Sequence, residues 1–231
     1  MSKRYGNEEQ QISNELIMFQ PQDNSSIKCY KQTIPVNIYH FYISDQIEDY
    51  KPFQDLINIL KTAEEHDRIL IYLNCPGGDL YVAIQIINAI RTSRATVVTC
   101  MDGQVCSAAT LIFLSGHEYI VNKHCSFMIH NYSEGVFGKG NEIISRVKHA
   151  TDWFKKLTYE IYGGFLTDVE IKDMLEGKDI WLDSDEVLDR LQKNNQPIAK
   201  LDDEEEDEPE VVPLIPKKKP VVKKPPTKKK N

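Results

Sequence analysis

Two adjacent residues, Cys106 and Ser107, are the candidate nucleophiles of this sequence, and they lie in the uncharged stretch GQVCSAAT. A hydroxyl nucleophile needs an imidazole to accept its proton, and the imidazole needs a carboxylate to set its tautomer. His130, which ends the apolar run SFMI, and Asp179, in the segment GKDIW, could supply these two groups. A thiol needs less activation than a hydroxyl, so a Cys106 nucleophile is the alternative to Ser107.

The same residues also have ordinary structural interpretations. Ser107 stands at the start of an apolar helical stretch, where a serine commonly caps the helix. His130 could be a core or rim residue, and Asp179 could be a surface carboxylate in a turn. Gly77 and Gly78 lie between a buried strand and a helix, where backbone amides can face an anion, although many such turns carry glycines for steric reasons alone. Taken together, these residues supply the groups that a hydrolase needs: a hydroxyl, an imidazole, a carboxylate, and backbone amides that can stabilise an oxyanion.

The elements that must position these residues alternate between strand and helix patterns along the chain. Buried or alternating apolar runs predict strands at 34–43, 69–74, 96–101, 118–122 and 126–130. Helical spacing of apolar residues predicts helices at 52–62, 81–93, 106–114 and 141–162. A capping box, Thr167 to Glu170, opens another short helix. This alternation predicts an α/β fold, built as a largely parallel sheet or as a spiral of ββα units.

The composition excludes several classes of protein. No apolar run approaches the ~18 residues that span a bilayer. The amino-terminal segment MSKRYGNEEQQ lacks the apolar stretch of a secretory signal, so a cytoplasmic location without membrane attachment is expected. The five cysteines are an odd number and none are spaced as CxxC, which argues against a disulfide framework and against a structural zinc site.

Charge is distributed unevenly and indicates how the chain is divided. Residues 202–231 contain eight acidic residues and eight lysines, so the whole net charge of −7 belongs to residues 1–201. An acidic body of this kind argues against general nucleic-acid binding. We expect a variable polar segment at 1–30, a folded domain at 31–200, and a disordered tail at 201–231 that is first acidic and then rich in Lys and Pro.

Five segments, in order, resemble the motifs of the proteolytic subunit of the Clp protease, across roughly residues 34–190. NCPGGD resembles N-S-P-G-G, GQVCSAAT resembles G-Q-A-A-S-M-G, and SFMIHNY resembles V-M-I-H-Q-P. GVFGKGNEI followed by a long helix is similar to G-x-x-G-x-x-x-D-I, and EGKDIWLDSDEV is similar to E-R-D-x-F-x-S-x-x-E-A. Five motifs in the right order at natural spacing are far more specific than any one of them alone.

The resemblance implies a role for each candidate residue. Ser107 would be the nucleophile, His130 the general base and acid, and Asp179 the group that orients the imidazole. The backbone amides of Gly78 and Ala108 would form the oxyanion hole. The implied activity is that of a serine endopeptidase, which hydrolyses peptide bonds of unfolded polypeptides inside an oligomeric chamber.

The resemblance also implies an architecture and partners. The fold would be a ββα spiral, related to the crotonase fold, with a long handle helix. Subunits of this family form heptameric rings, and two rings stack through the handle helices as a tetradecamer. The subunit itself would need no cofactor, since ATP is used only by a partner AAA+ unfoldase of the Clp type. In this interpretation Cys106 and Cys75 are packing thiols without a chemical role.

Some segments depart from the family pattern. Ala108 and Ala109 replace the usual Met-Gly after the serine, and Asn131-Tyr132 replaces Gln-Pro after the histidine, which could alter the groove for the substrate strand. Nothing in residues 1–30 resembles the axial loop that engages the unfoldase. The departures therefore bear more on partner docking than on peptide hydrolysis.

Three other functions are alternatives. The first is a maturation protease of the same fold, acting on scaffold or capsid proteins inside a viral procapsid. The second is an acyl-CoA enzyme of the crotonase fold, which also holds an oxyanion with glycine amides. The third is a non-catalytic ring subunit, suggested by the unusual tail and ends of the chain.

Overall fold

The computed structural model describes residues 35–199, which form a six-stranded β-sheet with helices packed against it. The strands are β1 (Ile38–Ile43), β2 (Arg68–Cys75), β3 (Thr96–Cys106), β4 (Glu118–Val121), β5 (Ser126–Ile129) and β6 (Ile180–Asp183). The helices are α1 (Gln54–Thr62), α2 (Leu80–Thr92), α3 (Ala108–Phe113), α4 (Gly140–Tyr162), α5 (Asp168–Leu175) and α6 (Ser184–Lys193). The predicted segments 1–30 and 201–231 lie outside the described residues.

The sheet has the order β1-β2-β3-β5-β6, and β4 pairs with the first part of β3. Every pairing is parallel except that of β5 with β6. Parallel neighbours need crossover connections, which α1, α2 and α3 supply between successive strands. The prediction of an α/β fold with a largely parallel sheet is therefore confirmed.

Strand β2 is covered on both faces, as its continuous apolar run predicts. Ile69, Ile71 and Leu73 are fully buried in the main core, which the helices share. A smaller cluster lies on the other face of the sheet and consists of Leu70, Val98, Cys100 and Ile120. Because successive strand residues point to opposite faces, both clusters anchor the strand that leads into the glycine turn at residues 77 and 78.

The largest difference between a predicted and an observed element boundary is at the end of β3. Strand β3 continues to Cys106, and helix α3 begins at Ala108 rather than at Cys106. Val105 pairs with Cys75 of β2 and with Phe127 of β5, so neighbours on both sides hold the end of β3 extended. The six residues of α3 are all buried, as expected for a helix without charge.

Helix α4 has two different halves. Phe154, Thr158 and Ile161, in its second half, are buried against the body of the domain. Ile144 and Val147 belong to the same apolar repeat but are 71% and 42% exposed. The first half of α4 therefore presents apolar side chains that nothing in the described part of the chain covers.

Within residues 35–199, no helix is both long and apolar enough to cross a membrane.

An ion pair joins helix α6 to the start of helix α5. Arg190 donates to both carboxylate oxygens of Glu170, at 2.7 and 3.1 Å, and the two side chains are half-buried. Glu170 also belongs to the capping box with Thr167, which the sequence predicts. The hydrogen bond from Arg190 is the main cause that lowers the pKa of Glu170 to about 2.

Replacing Arg190 with glutamine should therefore destabilise the domain in a pH-dependent way. We expect the free energy of unfolding to fall by about 1.5 to 3 kcal/mol at neutral pH, the usual range for hydrogen bonds to charged groups. The pKa of Glu170 is lower in the folded protein than its value of 4.5 in the unfolded chain. Its ionised carboxylate therefore stabilises the folded state fully above pH 4.5, and this contribution is lost as the pH falls towards 2. Urea titrations of Arg190→Gln and the wild type should thus converge over that range.

A matched control is the neighbouring lysine on the same helix. Lys193 pairs with Asp189 at the surface, where both side chains are mostly exposed. Exposed pairs of this type contribute little to stability. Lys193→Gln should leave the urea midpoint almost unchanged, and an equal effect of the two substitutions would show that the Arg190 pair has no special role.

Candidate active site

Ser107 lies at the junction between β3 and α3, where the chain changes from strand to helix within one residue. Its φ and ψ angles are 55° and −127°, in a region that residues other than glycine seldom adopt. The backbone N–H of Ser107 donates to the carbonyl of Met128, at 2.8 Å. Although Ser107 occupies the N-cap position, its side chain makes no capping hydrogen bond. Ser107 is therefore the N-cap residue, as the sequence indicates, but its hydroxyl does not cap the helix and is available for another partner.

That partner is His130. The distance between Ser107 Oγ and His130 Nε2 is 2.7 Å, which is a short and well-formed hydrogen bond. The parallel pairing of Cys106 with Met128 aligns the ends of β3 and β5, so the residues that follow each strand meet at one edge of the sheet. The arrangement has the geometry that a general base requires towards the proton it accepts. The structure thus brings together two of the three side chains that the sequence singles out.

Asp179 lies close to His130 in the strand register but forms no hydrogen bond with its imidazole. Strands β5 and β6 are antiparallel, and Ile129 is paired with Ile180. Continuing that register by one residue places His130 across from Asp179. The carboxylate is nevertheless exposed, and among the described residues it forms no hydrogen bond with the imidazole. Both residues lie just beyond the last pair of the ladder, so the sheet aligns their backbones without fixing the two side chains.

The glycine turn after β2 packs directly against the serine turn. Gly77 and Gly78 have φ angles of 98° and 140°, which only glycine adopts readily. A Cβ atom on Gly77 would lie 2.6 Å from the Cβ atom of Ser107. The turn is fastened to residue 47 by two backbone hydrogen bonds, from Ile47 N–H to the Gly77 carbonyl and from Asp79 N–H to the Ile47 carbonyl, at 2.8 and 2.6 Å.

Two backbone N–H groups beside Ser107 have no acceptor within residues 35–199. They belong to Gly78 and to Ala108, the first residue of α3. The first N–H groups of a helix lack intrahelical partners, and a tight glycine turn leaves its amides free in the same way. Both residues line the same cavity as Ser107 and His130. The site therefore offers unoccupied hydrogen-bond donors next to a hydroxyl and an imidazole.

The cavity has a volume of about 400 Å³ and an aromatic wall. Its aromatic lining residues are Tyr81, Tyr132, Trp153, Phe154 and Tyr162. Sequence reasoning did not identify Tyr81 or Trp153 as site residues. The rings of these two side chains, one on α2 and one on α4, stack with their centroids 5.5 Å apart, and only the tertiary fold brings them together. A charged pair, Glu134 and Arg146, closes one side of the cavity.

The cysteines near the site have the properties of packing residues. Cys106 is buried, and burial raises the pKa of its thiol, which disfavours the reactive thiolate. Burial likewise raises the pKa of Cys75, whose sulfur accepts a hydrogen bond from the N–H of Gly77, at 3.3 Å. Within the described range, no cluster of three or more His, Cys, Asp or Glu residues could hold a metal ion.

Comparisons with known proteins indicate the family to which the chain belongs. A family model described as Clp protease matches residues 23–189. The ATP-dependent Clp protease proteolytic subunit of Bacteroides thetaiotaomicron is 25% identical over 148 residues, which are 62% of this chain and 64% of the relative. That of Porphyromonas gingivalis is 25% identical over 152 residues, 64% of this chain and 68% of the relative. Proteolytic subunit 2 of Treponema denticola is 29% identical over 141 residues, 57% of this chain and 70% of the relative.

The chain thus spans slightly less than two thirds of the length of the first of these relatives. The family match covers most of the chain, including every residue of the site and all of the sheet. The α/β architecture, with its long handle-like helix α4, is consistent with the ββα-spiral fold that the sequence motifs imply. On these findings the chain is a divergent member of the Clp protease family.

Proposed function

We propose that this chain is a serine endopeptidase of the Clp proteolytic-subunit type, which hydrolyses peptide bonds of unfolded polypeptides. The observation that carries the proposal is the 2.7 Å hydrogen bond between Ser107 Oγ and His130 Nε2. It occurs at a strained turn that opens into a cavity and is flanked by two free backbone amides. Family membership supports the reaction class.

The reaction begins when Ser107 Oγ attacks the carbonyl carbon of the scissile bond and His130 Nε2 accepts the hydroxyl proton. The carbonyl oxygen becomes an oxyanion, which the N–H groups of Gly78 and Ala108 stabilise. The C–N bond then breaks, and His130 returns the proton to the leaving amine. Water, deprotonated by His130, hydrolyses the acyl ester, so that the carboxylic acid product leaves and Ser107 is regenerated. The aromatic wall of the cavity suits an apolar side chain on the residue that supplies the scissile carbonyl.

Asp179 is proposed as the group that orients His130. The strand register aligns the two residues, and a shift of the exposed loop before β6 would bring the carboxylate to Nδ1 of the imidazole. A carboxylate in that position fixes the tautomer in which Nε2 accepts a proton, and it stabilises the imidazolium that forms. Catalytic hydrogen bonds often tighten only in the assembled or substrate-bound state.

Assembly is the second part of the proposal. The exposed Ile144 and Val147 of α4, and Phe137 just before it, are apolar side chains suited to contact with other subunits. We propose heptameric rings that stack in pairs through α4 and enclose the sites in a chamber. A partner AAA+ unfoldase of the Clp type would deliver unfolded chains and would be the component that uses ATP, while the subunit itself requires no cofactor.

Labelling with a fluorophosphonate tests the proposal directly. The serine oxygen displaces fluoride from phosphorus, which requires the same activation and the same oxyanion stabilisation as peptide hydrolysis. We expect a phosphonyl adduct on Ser107 in the assembled protein, located by peptide mass spectrometry. Ser107→Ala should lose the adduct, whereas Cys106→Ala, one residue away, should keep it.

The contrary outcomes are distinct. An adduct on Cys106, or none in an assembled oligomer, would contradict a serine peptidase. In the second case, binding of an acyl-CoA thioester measured by calorimetry would favour the acyl-CoA enzyme. If the protein shows neither an adduct nor binding of the thioester, a non-catalytic subunit is favoured.

A further inference from the structure

Two buried hydroxyl groups lie beneath the serine turn, and neither belongs to the residues discussed above as reacting groups. Thr110, in α3, and Tyr162, the last residue of α4, are 0% and 2% exposed. Their hydroxyl oxygens are 2.6 Å apart. The Thr110 hydroxyl is also 2.6 Å from the backbone carbonyl oxygen of Ser107. A continuous chain of hydrogen bonds therefore runs from the end of α4 to the nucleophile.

The direction of this chain follows from counting hydrogen atoms. Each hydroxyl has one hydrogen to donate, and a carbonyl can only accept. If Thr110 donates to the carbonyl of Ser107, Tyr162 donates to Thr110, and both hydrogens are used. In the reverse order the hydrogen of Tyr162 has no other acceptor among the described residues, and an unpaired buried donor is unfavourable. Burial raises the pKa of Tyr162, which keeps its hydroxyl protonated and able to donate.

The carbonyl at the end of this chain belongs to a chemically important peptide group. The carbonyl of Ser107 and the N–H of Ala108 are parts of one planar unit, so the direction of one fixes the direction of the other. The same carbonyl accepts a second hydrogen bond, from the backbone N–H of Thr110, at 2.9 Å. Hydrogen bonds to a carbonyl also polarise the peptide and strengthen its N–H as a donor.

We propose that Tyr162 and Thr110 are positioning residues for the oxyanion hole, which act by orienting the Ser107–Ala108 peptide so that the Ala108 N–H faces the oxyanion. The inference rests on the proposed peptidase function. It makes Tyr162 a link through which helix α4 bears on the reacting centre. Neither side chain needs to touch the substrate for this role.

The test is a kinetic comparison of Tyr162→Phe with the wild type on a fluorogenic peptide. A misdirected oxyanion donor weakens transition-state binding but not substrate binding, so kcat should fall by about tenfold, less than for outright removal of a donor. KM should stay within about twofold. The inhibition constant of a peptide aldehyde should rise by the same factor as kcat/KM falls, because its adduct with Ser107 also places an oxyanion in the hole.

Thr158→Val is the matched control. Thr158 is on the same helix, is fully buried, and has a hydroxyl without a hydrogen-bond partner within the described structure. Removing that hydroxyl should leave kcat and the aldehyde constant unchanged. A second pair of variants examines the other hydroxyl: Thr110→Val should resemble Tyr162→Phe, while Thr110→Ser, which keeps the donor, should restore kcat. This pair also decides the matter if Tyr162→Phe does not fold.

The outcomes separate the inference from the proposed function. If Ser107 is labelled in the wild type but both Tyr162→Phe and Thr110→Val retain full kcat, the positioning role is wrong and the peptidase stands. A rise in KM alone, or a lower melting temperature with unchanged kcat, would likewise assign these residues to packing. If the wild type shows no hydrolysis that depends on Ser107, both the function and this inference fail.

Discussion

Replacing Ser107 or His130 with alanine should lower kcat for peptide hydrolysis by about 10⁴-fold to 10⁶-fold. The two side chains form one hydrogen-bonded unit, in which the hydroxyl is a poor nucleophile without the imidazole and the imidazole has no proton to accept without the hydroxyl. The double variant should therefore be no slower than the more damaged single variant. The measurement is kcat for the three proteins on the same fluorogenic peptide, each at matched oligomer size by gel filtration.

Cys106→Ala is the control for this series, because it changes the neighbouring residue and removes only a buried thiol. It should retain kcat near that of the wild type, with a modest loss of stability. If the effects of Ser107→Ala and His130→Ala multiply in the double variant, the two residues act independently and the proposed mechanism is wrong. If Cys106→Ala is as inactive as Ser107→Ala, the thiol takes part in the chemistry.

The second large effect is expected at the glycine turn. A Cβ atom on Gly78 would lie 2.1 Å from the backbone oxygen of Ile47, and the φ angle of Gly78 is 140°. Backbone cannot move aside as a flexible side chain can, so Gly78→Ala must displace either the turn or the segment around Ile47. We expect the free energy of unfolding to fall by about 3 kcal/mol or more. Urea denaturation followed by circular dichroism measures this loss.

The control is another glycine with no such constraint. Gly140 is the first residue of α4, has no positive φ, and would place a Cβ atom in open space. Gly140→Ala should leave stability unchanged or raise it by up to about 1 kcal/mol, because alanine reduces the freedom of the unfolded chain. A Gly78→Ala protein as stable as the wild type would mean that the turn is more plastic than its close approach to Ile47 indicates.

The sequence predicts correctly those strands and helices that are determined by residues close together in the chain. The apolar runs at 69–74 and 96–101 predict strands covered on both faces, and the capping box at Thr167 predicts the start of α5. The end of β3 has no such signal, because pairing with β5 on one side and with Cys75 of β2 on the other holds it extended. The apolar repeat of α4 likewise gives the helix correctly, but a repeat does not tell whether a side chain packs on its own domain or on another chain.

The residues of the candidate site likewise include some that local sequence motifs predict and some that only the tertiary structure brings together. Sequence motifs predict Ser107 and His130, and the sheet places them together. The hydrogen bonds that orient their surroundings join residues far apart in the chain, such as Thr110 and Tyr162, which are separated by 52 positions. Such pairs depend on the angle at which helices pack, which no local pattern encodes. The exposed loop at Asp179 depends in addition on side-chain positions beyond the last paired strand residues.

The order of the strands has a consequence for how the chain is made. Along β1-β2-β3-β5-β6, each strand after the first pairs with one that leaves the ribosome before it. The sheet can therefore grow from one edge during synthesis, although parallel pairing across long connections is slow. His130 follows β5 and Asp179 precedes β6, so the residues that we propose as the catalytic set are aligned only when the last strand joins the sheet. In the proposed mechanism, a chain whose synthesis has not yet reached Asp179 therefore lacks one of the three catalytic side chains.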